Sequence, residues 1–381
     1  MTFNDMKNLH FIYLFILLSV CSVTAGAQSA DSSKVDFVYD VRFDMDFDNR
    51  EFAKSKFSPS KTIFGARLTP SVGVSVNQSS GFKHKVMLGV DVMKDFGAPN
   101  DSSLLGEVTL YYNLEKEWQK TAFSLQAGIF PRSSMEAYYS EAFFSDQFKF
   151  YDNNLEGILL KLRRPKAYFE LGCDWFGQYG RTSRERFMVF SGGSGKIFPV
   201  LNYGYSAYMY HYANSIKVKG VVDNFLVNPY LELDLAKVTG LQAFSLRAGW
   251  LQTMQNDRKN IGHYLFSGGA DVEFDLRYWN FGVHNIFYYG KTIMPLYTVI
   301  DSAGVQYGGN LYFGDPFYRV FDDGSFGQGL YDRVEGYYAL DLNDYLKLRV
   351  TAAFHFTNKG YAGCQQLVRI VFDLQELLDR K

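Results

Sequence analysis

Hydrolysis at a nucleophilic side chain needs a base within hydrogen-bond reach, so the histidines are where such chemistry would first show. The chain has 381 residues and six His: His10, His84, His211, His263, His284 and His355. None stands in a His-x-Ser arrangement. His355-Phe356-Thr357 is the nearest, and Thr is a poor substitute without other support. His211 and His284 lie in aromatic segments, where a structural histidine is the usual outcome. No metal-ligand spacing, Gly-rich phosphate loop or nucleophile elbow is present. The expectation from these residues is a protein that is not an enzyme and uses no cofactor and no metal.

The other residues with chemistry are the charges, and their spacing says what positions them. From Val35 to Asp48, Val35, Phe37, Tyr39, Val41, Phe43, Met45 and Phe47 alternate with Asp36, Asp40, Arg42, Asp44, Asp46 and Asp48, with Val38 the one break. Successive strand side chains point to opposite faces, so this segment has one apolar face and one ionised face. A tall strand of that kind fits a sheet closed around water inside lipid. The pattern recurs in Thr62–Val76, Lys85–Met93, Glu107–Leu114, Ala122–Phe130, Leu155–Arg163, Lys166–Phe176, Tyr203–Tyr212, Ser215–Val222, Phe225–Val238, Gln242–Met254, Tyr264–Tyr278, Phe281–Tyr289, Arg333–Leu342, Leu346–Phe356 and Gln365–Leu374. The fold class predicted is all-β: a single antiparallel transmembrane β-barrel of about 16 strands, within a range of roughly 14–18, the even counts of single-chain barrels.

The connections give an independent check. Arg164-Pro165, Val238-Thr239-Gly240, Trp279-Asn280 and Asn343-Asp344 are short, whereas 48–61, 131–154, 177–201 and 290–329 are long. With the first strand running outward, the short links share one rim and the long ones the other, as periplasmic turns and external loops do. A soluble sandwich would also alternate, but its runs need not be near the ~9–11 residues of a tilted membrane strand. The first 27 residues read as a secretory signal: an apolar Phe11–Val23 follows Lys7 and His10, and Ala25-Gly26-Ala27 offers small residues for cleavage before Gln28. Leu18-Ser19-Val20-Cys21 opens a lipoprotein alternative in which bulky Val20 fits poorly. Residues 28–381 then form one barrel domain, exported through the periplasm to a bacterial outer membrane. Aromatic content of 18% suits interfacial girdles, and a net charge of −1 excludes the clustered positive field of a nucleic-acid binder. Cys173 and Cys364 read as two unpaired structural thiols, with one disulfide as the alternative.

The signal, even strand series and rim asymmetry resemble porin-type outer-membrane barrels along the whole mature chain, and Gly128-Ile129-Phe130-Pro131-Arg132 is similar to the corresponding region of phosphate-selective porins. The chain departs from such barrels by running past Phe372 to Lys381 rather than ending on an aromatic residue. The resemblance implies passive or weakly selective diffusion of small hydrophilic solutes or ions. Lumen-lining charges would then set preference: Arg67, Asp91, Arg247, Asp271, Glu273, Asp275, Arg277, Lys347, Arg349 and Arg369. The loop 131–154 is the candidate constriction, with Arg132, Glu136, Glu141, Asp146 and Lys149 among seven aromatic residues. Outer-membrane lipid is the implied surrounding, and the oligomeric state is not legible. One alternative is a surface-binding or uptake-partner barrel whose aromatic segment 297–331 stacks on a glycan or protein. Another is an outer-membrane lipid hydrolase, with His355 as the residue to test.

Overall fold

The computed structural model describes residues 34–374, apart from 53–54, 56, 99–103, 301–303, 305–306, 321–326 and 344. The proposed signal segment 1–27, with Cys21, and the tail from Gln375 lie outside the described residues. Sixteen strands follow one another: β1 (Lys34–Glu51), β2 (Lys61–Asn77), β3 (Phe82–Asp95), β4 (Leu105–Trp118), β5 (Thr121–Pro131), β6 (Asn154–Arg164), β7 (Ala167–Gly177) and β8 (Arg186–Phe198). The second half comprises β9 (Leu201–Tyr212), β10 (Val222–Asp234), β11 (Ala243–Asp257), β12 (Leu265–Tyr278), β13 (Phe281–Lys291), β14 (Gln328–Asn343), β15 (Leu346–Thr357) and β16 (Gly360–Asp373). Each pairs antiparallel with its neighbour, and β1 closes on β16 through pairs such as Phe43 with Phe372 and Asp46 with Arg369. The described strands form one closed sheet rather than two stacked ones.

The alternation of the first strand does what its pattern demands. Phe37 is 69% exposed on the outer wall, whereas Asp46 and Asp48, on the other face, are buried inside. Closure gives every strand a neighbour on both sides and leaves no sheet edge, the condition for spanning lipid. Among the described residues no helix is long and apolar enough to cross a membrane, which says nothing of strands.

The count of sixteen was legible, but through two errors that cancel. Ser215–Val222 is not a strand: it turns back on itself, with Val218 N–H donating to the Ser215 hydroxyl (3.0 Å) and Ser215 N–H donating to the Val218 carbonyl (2.9 Å). A Ser offering its own side chain to the backbone competes with a ladder. Conversely β8 lies wholly inside the segment expected to be the loop 177–201. Its Ser191-Gly192-Gly193-Ser194-Gly195 run has loop composition, yet the missing side chains make room. A Cβ on Gly195 would meet the Tyr203 ring at 2.6 Å outside, and one on Gly192 would meet Ala137 at 2.3 Å inside. Tyr203–Tyr212 therefore runs outward rather than inward. The rim asymmetry stands, with the tight turn at Asn358-Lys359 as the exception on the long-loop side.

The lumen is not uniformly wet. Loop 131–154 and the segment after β13 both fold inward and fill the outer half with aromatic packing. Phe143 meets Tyr208 of β9 at 5.6 Å, Phe313 meets Tyr210 at 4.9 Å, and Phe317 stacks on Tyr331 and His355 at 5.3 and 4.7 Å. Tyr312, Phe317 and Tyr318, which the alternative surface-binding reading would expose for stacking, are core residues. Cys173 and Cys364 are free.

Candidate functional site

All ten charges expected on the lumen face sit on strands whose inward side carries them. Arg67 pairs with Asp91, and its guanidinium also reaches the Phe150 carbonyl. Arg247 lies between Glu232 and Glu273 (3.0 Å to the latter) with its guanidinium 3.5 Å above the Tyr138 ring. Asp271 is buried, accepting from Asn228 at 3.3 Å. Arg349 lies 3.8 Å over Tyr337, and Arg369 holds Asp46 at 2.8 Å. Arg277 and Lys347 stand nearer the short-turn rim, Arg277 bonding Asp341 at 2.9 Å and Lys347 exposed.

The five charges of loop 131–154 split by task. Arg132 ties the loop root to Asp152 and Asp174 at 2.8 and 2.9 Å, and Glu136 reaches Lys161 at 2.7 Å and Arg163. Asp146 and Lys149 belong to the helical turn α1 (Asp146–Tyr151) and Glu141 precedes it; the turn is capped by Ser145, whose hydroxyl accepts from Phe148 N–H at 3.2 Å. Lys149 holds Glu141 at 2.7 Å, while Arg333 of β14 and Arg369 of β16 reach Asp146 at 3.4 and 3.5 Å. Beneath the loop lies a chamber of about 450 Å³ lined by both signs, including Arg247, Glu273, Asp275, His284, Glu335 and Arg349.

Inside this chamber Ser245, Asp275 and His284 stand in one row, on β11, β12 and β13. His284 Nδ1 is 3.8 Å from Asp275, which also accepts from Tyr337 OH at 3.0 Å. The order is wrong for a nucleophile–base pair: the carboxylate stands between Ser245 and His284, which are two strands or roughly 10 Å apart. His355 is no better placed. It is fully buried, with Nδ1 bonded to Tyr331 OH at 3.0 Å and Nε2 to Gln365 at 2.8 Å, so both nitrogens are occupied in the aromatic core. His84 bonds Tyr112 OH at 2.7 Å on the outer wall near the short-turn rim, and His263 is on an exposed loop.

His211 is different. On β9 the even residues Tyr208, Tyr210 and Tyr212 are buried inside, so His211 faces out, one residue from the long-loop end. On β10 the inward set is Asn224, Leu226 and Asn228, so Asp223 faces out beside it. The two are cross-strand partners, Nδ1 to Oδ1 3.6 Å, and Arg258 clamps the carboxylate with Nε at 2.6 Å and Nη2 at 2.9 Å. Asn256, opposite Asp223 on β11, leaves its side-chain oxygen without a partner. Aromatic rings surround the group: Trp175 stacks on Phe187 at 5.1 Å, Phe187 lies 4.9 Å from His211, and Phe225 lies 6.3 Å from Tyr264. A His–Asp–Arg group thus sits in the lipid-facing aromatic girdle of the outer rim. The group is hard to find in the sequence because the alternation of β10 is regular only from Phe225 onward. The signal was there: His211 and Asp223 are polar residues on a face that otherwise carries Tyr203, Met209, Phe225, Leu231 and Leu233. Among the described residues, no three His, Cys, Asp or Glu side chains converge to hold a metal ion.

Comparison with known proteins adds two findings. A family model described as lipid A 3'-O-deacylase-type matches residues 30–304, a span that contains His211, Asp223 and Arg258 and ends before His355. That match overturns the expectation of a protein that is not an enzyme. Among solved structures, a loop-deletion form of OmpT, an outer membrane protein of Vibrio cholerae, aligns over 90% of this chain and 100% of its own at 10% identity and a TM-score of 0.53. An anion-selective porin from Comamonas acidovorans aligns over the same shares at 11% identity and a TM-score of 0.51. These likenesses establish the fold, a porin-type outer-membrane barrel. No curated protein matches the sequence.

Proposed function

Given that the chain belongs to the lipid A 3'-O-deacylase-type family, we propose that it hydrolyses an acyl ester of an outer-leaflet lipid at the outward His211–Asp223 pair. The observation that carries this reading is the position of the pair, on the lipid side of the wall, where the ester groups of outer-leaflet lipids lie and where nothing in the lumen can reach. In the proposed reaction His211 Nε2 takes a proton from water as the oxygen attacks the ester carbonyl. The C–O bond to the alcohol then breaks, and the imidazolium returns the proton to the leaving oxygen, giving a fatty acid and a hydroxyl. Asp223, 3.6 Å from Nδ1, stabilises the positive ring by its charge. Arg258 spends two of its five donors on Asp223, leaving others for the oxyanion, and the Asn256 amide adds a further polar contact. The test is fatty-acid release from lipid A by the reconstituted barrel: His211→Ala is expected to abolish it, and unchanged release would reject the site.

A second reading concerns the lumen, and the charged chamber favours it. Small hydrophilic solutes or ions are proposed to enter from the short-turn side, with Arg247, Asp271, Glu273, Asp275, Arg349 and Arg369 setting preference and loop 131–154 as the constriction. Planar-bilayer recording tests this: absence of current steps at any salt concentration rejects diffusion through the barrel. Export with cleavage before Gln28 is likewise proposed, and sequencing of the mature N-terminus tests it.

A further inference from the structure

Positive charge gathers on one part of the outer rim. The three loops beside the outward pair, 178–185, 213–221 and 258–264, carry Arg181, Arg184, Lys217, Lys219, Arg258 and Lys259 against the single anion Glu185. These three loops are one platform. Glu185 and Ala213 exchange backbone bonds with each other's loops (Glu185 N to Asn214 O 3.2 Å, Ala213 N to Glu185 O 2.8 Å), Ile216 N reaches Gly180 O at 2.9 Å, and Arg258 N reaches Val221 O at 3.0 Å. Arg184 locks the assembly from below, bonding Ala213 O at 3.0 Å while its guanidinium lies 4.8 Å over Tyr212.

Arg181, Lys217, Lys219 and Lys259 are exposed on top of this platform and form no ion pair among the described residues. Four unpaired cations on interlocked loops concentrate positive potential that side-chain flexibility alone would dilute. Their height is fixed by the girdle beneath: Trp175, Phe187 and Tyr264 mark the membrane interface, so the cations stand at the level of lipid headgroups. We propose that this crown binds the phosphate groups of a phosphorylated glycolipid in the outer leaflet and so holds the acyl esters of that lipid against the pair below. The proposal rests on the hydrolase reading for its consequence but not for its test, since binding is measured apart from turnover.

Detergent-solubilised full-length barrel is titrated with diphosphorylated lipid A, and with the same lipid stripped of its phosphates, by microscale thermophoresis. Binding of the phosphorylated form is expected to be at least tenfold tighter, and the combined R181A/K217A/K219A/K259A variant is expected to lose that margin. Raising NaCl from 0.05 to about 0.5 M is expected to weaken wild-type binding several-fold, because exposed charges are screened over a Debye length. Equal binding of the two lipids, or a variant that binds as wild type does, overturns the proposal. Turnover of a soluble, uncharged short-chain ester separates the two readings. The crown variant is expected to keep that turnover while losing lipid binding, and His211→Ala to lose turnover while keeping lipid binding. Lipid binding that persists in the crown variant sinks the crown alone, whereas ester turnover that persists in His211→Ala sinks the hydrolase site alone.

Discussion

Two His–Asp pairs stand on opposite faces of one wall. His211 and Asp223 are cross-strand partners on β9 and β10, and His284 and Asp275 are cross-strand partners on β13 and β12. Their separations are close, 3.6 and 3.8 Å. What differs is what else touches the carboxylate and what each histidine faces. Asp223 is clamped by an arginine that is itself 58% exposed, and His211 faces the lipid girdle. Asp275 is bonded by a tyrosine hydroxyl, and His284 faces a chamber crowded with arginines and carboxylates. A pair of side chains is therefore only half a description: period-two geometry sends the same chemistry to lipid or to water by a shift of one residue.

The largest expected effect breaks the comparison outright. Removing a general base costs roughly 10²–10⁴ in rate, so His211→Ala is expected to lower fatty-acid release from lipid A by that factor, while His284→Ala stays within about twofold. If the two variants exchange behaviours, the chemistry is in the lumen and the outward pair is structural. Asp223→Asn comes next. It keeps the shape and removes the charge that steadies the protonated ring, so a smaller loss of roughly ten- to a hundredfold is expected, with an altered pH profile of kcat that the corresponding change at Asp275 does not produce.

A third prediction concerns what keeps the inward pair apart from the outside. Phe143 is fully buried against Tyr139 and Tyr208 at 5.8 and 5.6 Å. Truncating such a ring costs about 3–5 kcal/mol, and it opens space in the outer half of the lumen. Phe143→Ala is expected to lower the unfolding midpoint of the reconstituted barrel and to raise its conductance in planar bilayers, leaving lipid hydrolysis unchanged. A rise in hydrolysis instead would tie the lumen to the reaction.

The barrel was legible because closure in lipid forces an alternation that individual residues must obey, as in β1, β12 and β15. The sixteen strands were harder to place than to count. β8 hides behind glycines whose purpose, clearance for Tyr203 outside and Ala137 inside, exists only once its neighbours are folded. The inward loop was legible in its aromatic content, but its partners Arg333 and Arg369 come from strands far along the chain, the nearer of them 187 residues from Asp146, which no local pattern links to it. The outward pair failed for a third reason. His211 and Asp223 are separated by a loop that resembles a strand, and only the true register sets them side by side.

The smallest effect concerns the loop over the inward pair. Burial, reinforced by nearby Asp146, pushes the Glu141 carboxyl up to about 7, whereas Asp146 is held below the ordinary carboxylate range despite its burial, by Arg369, Lys149 and Arg333. A group that holds its proton more tightly when folded contributes stability below its unfolded value and loses that contribution as pH rises through the folded one. For Glu141 that window runs from 4.5 to about 7. Asp146 works the other way, but its loss begins only below 3.8 and does not enter the same range. Loop 131–154 is therefore expected to be held more firmly at pH 5.5 than at pH 8. Hydrogen exchange across residues 139–151, corrected for intrinsic rates, should show more protection at the lower pH, and Glu141→Gln should remove the difference. Since His211 lies on the other face of the wall, lipid A binding by the crown should not follow the Glu141 titration; if it does, the two faces are coupled through the loop, and the separation drawn between the pairs fails.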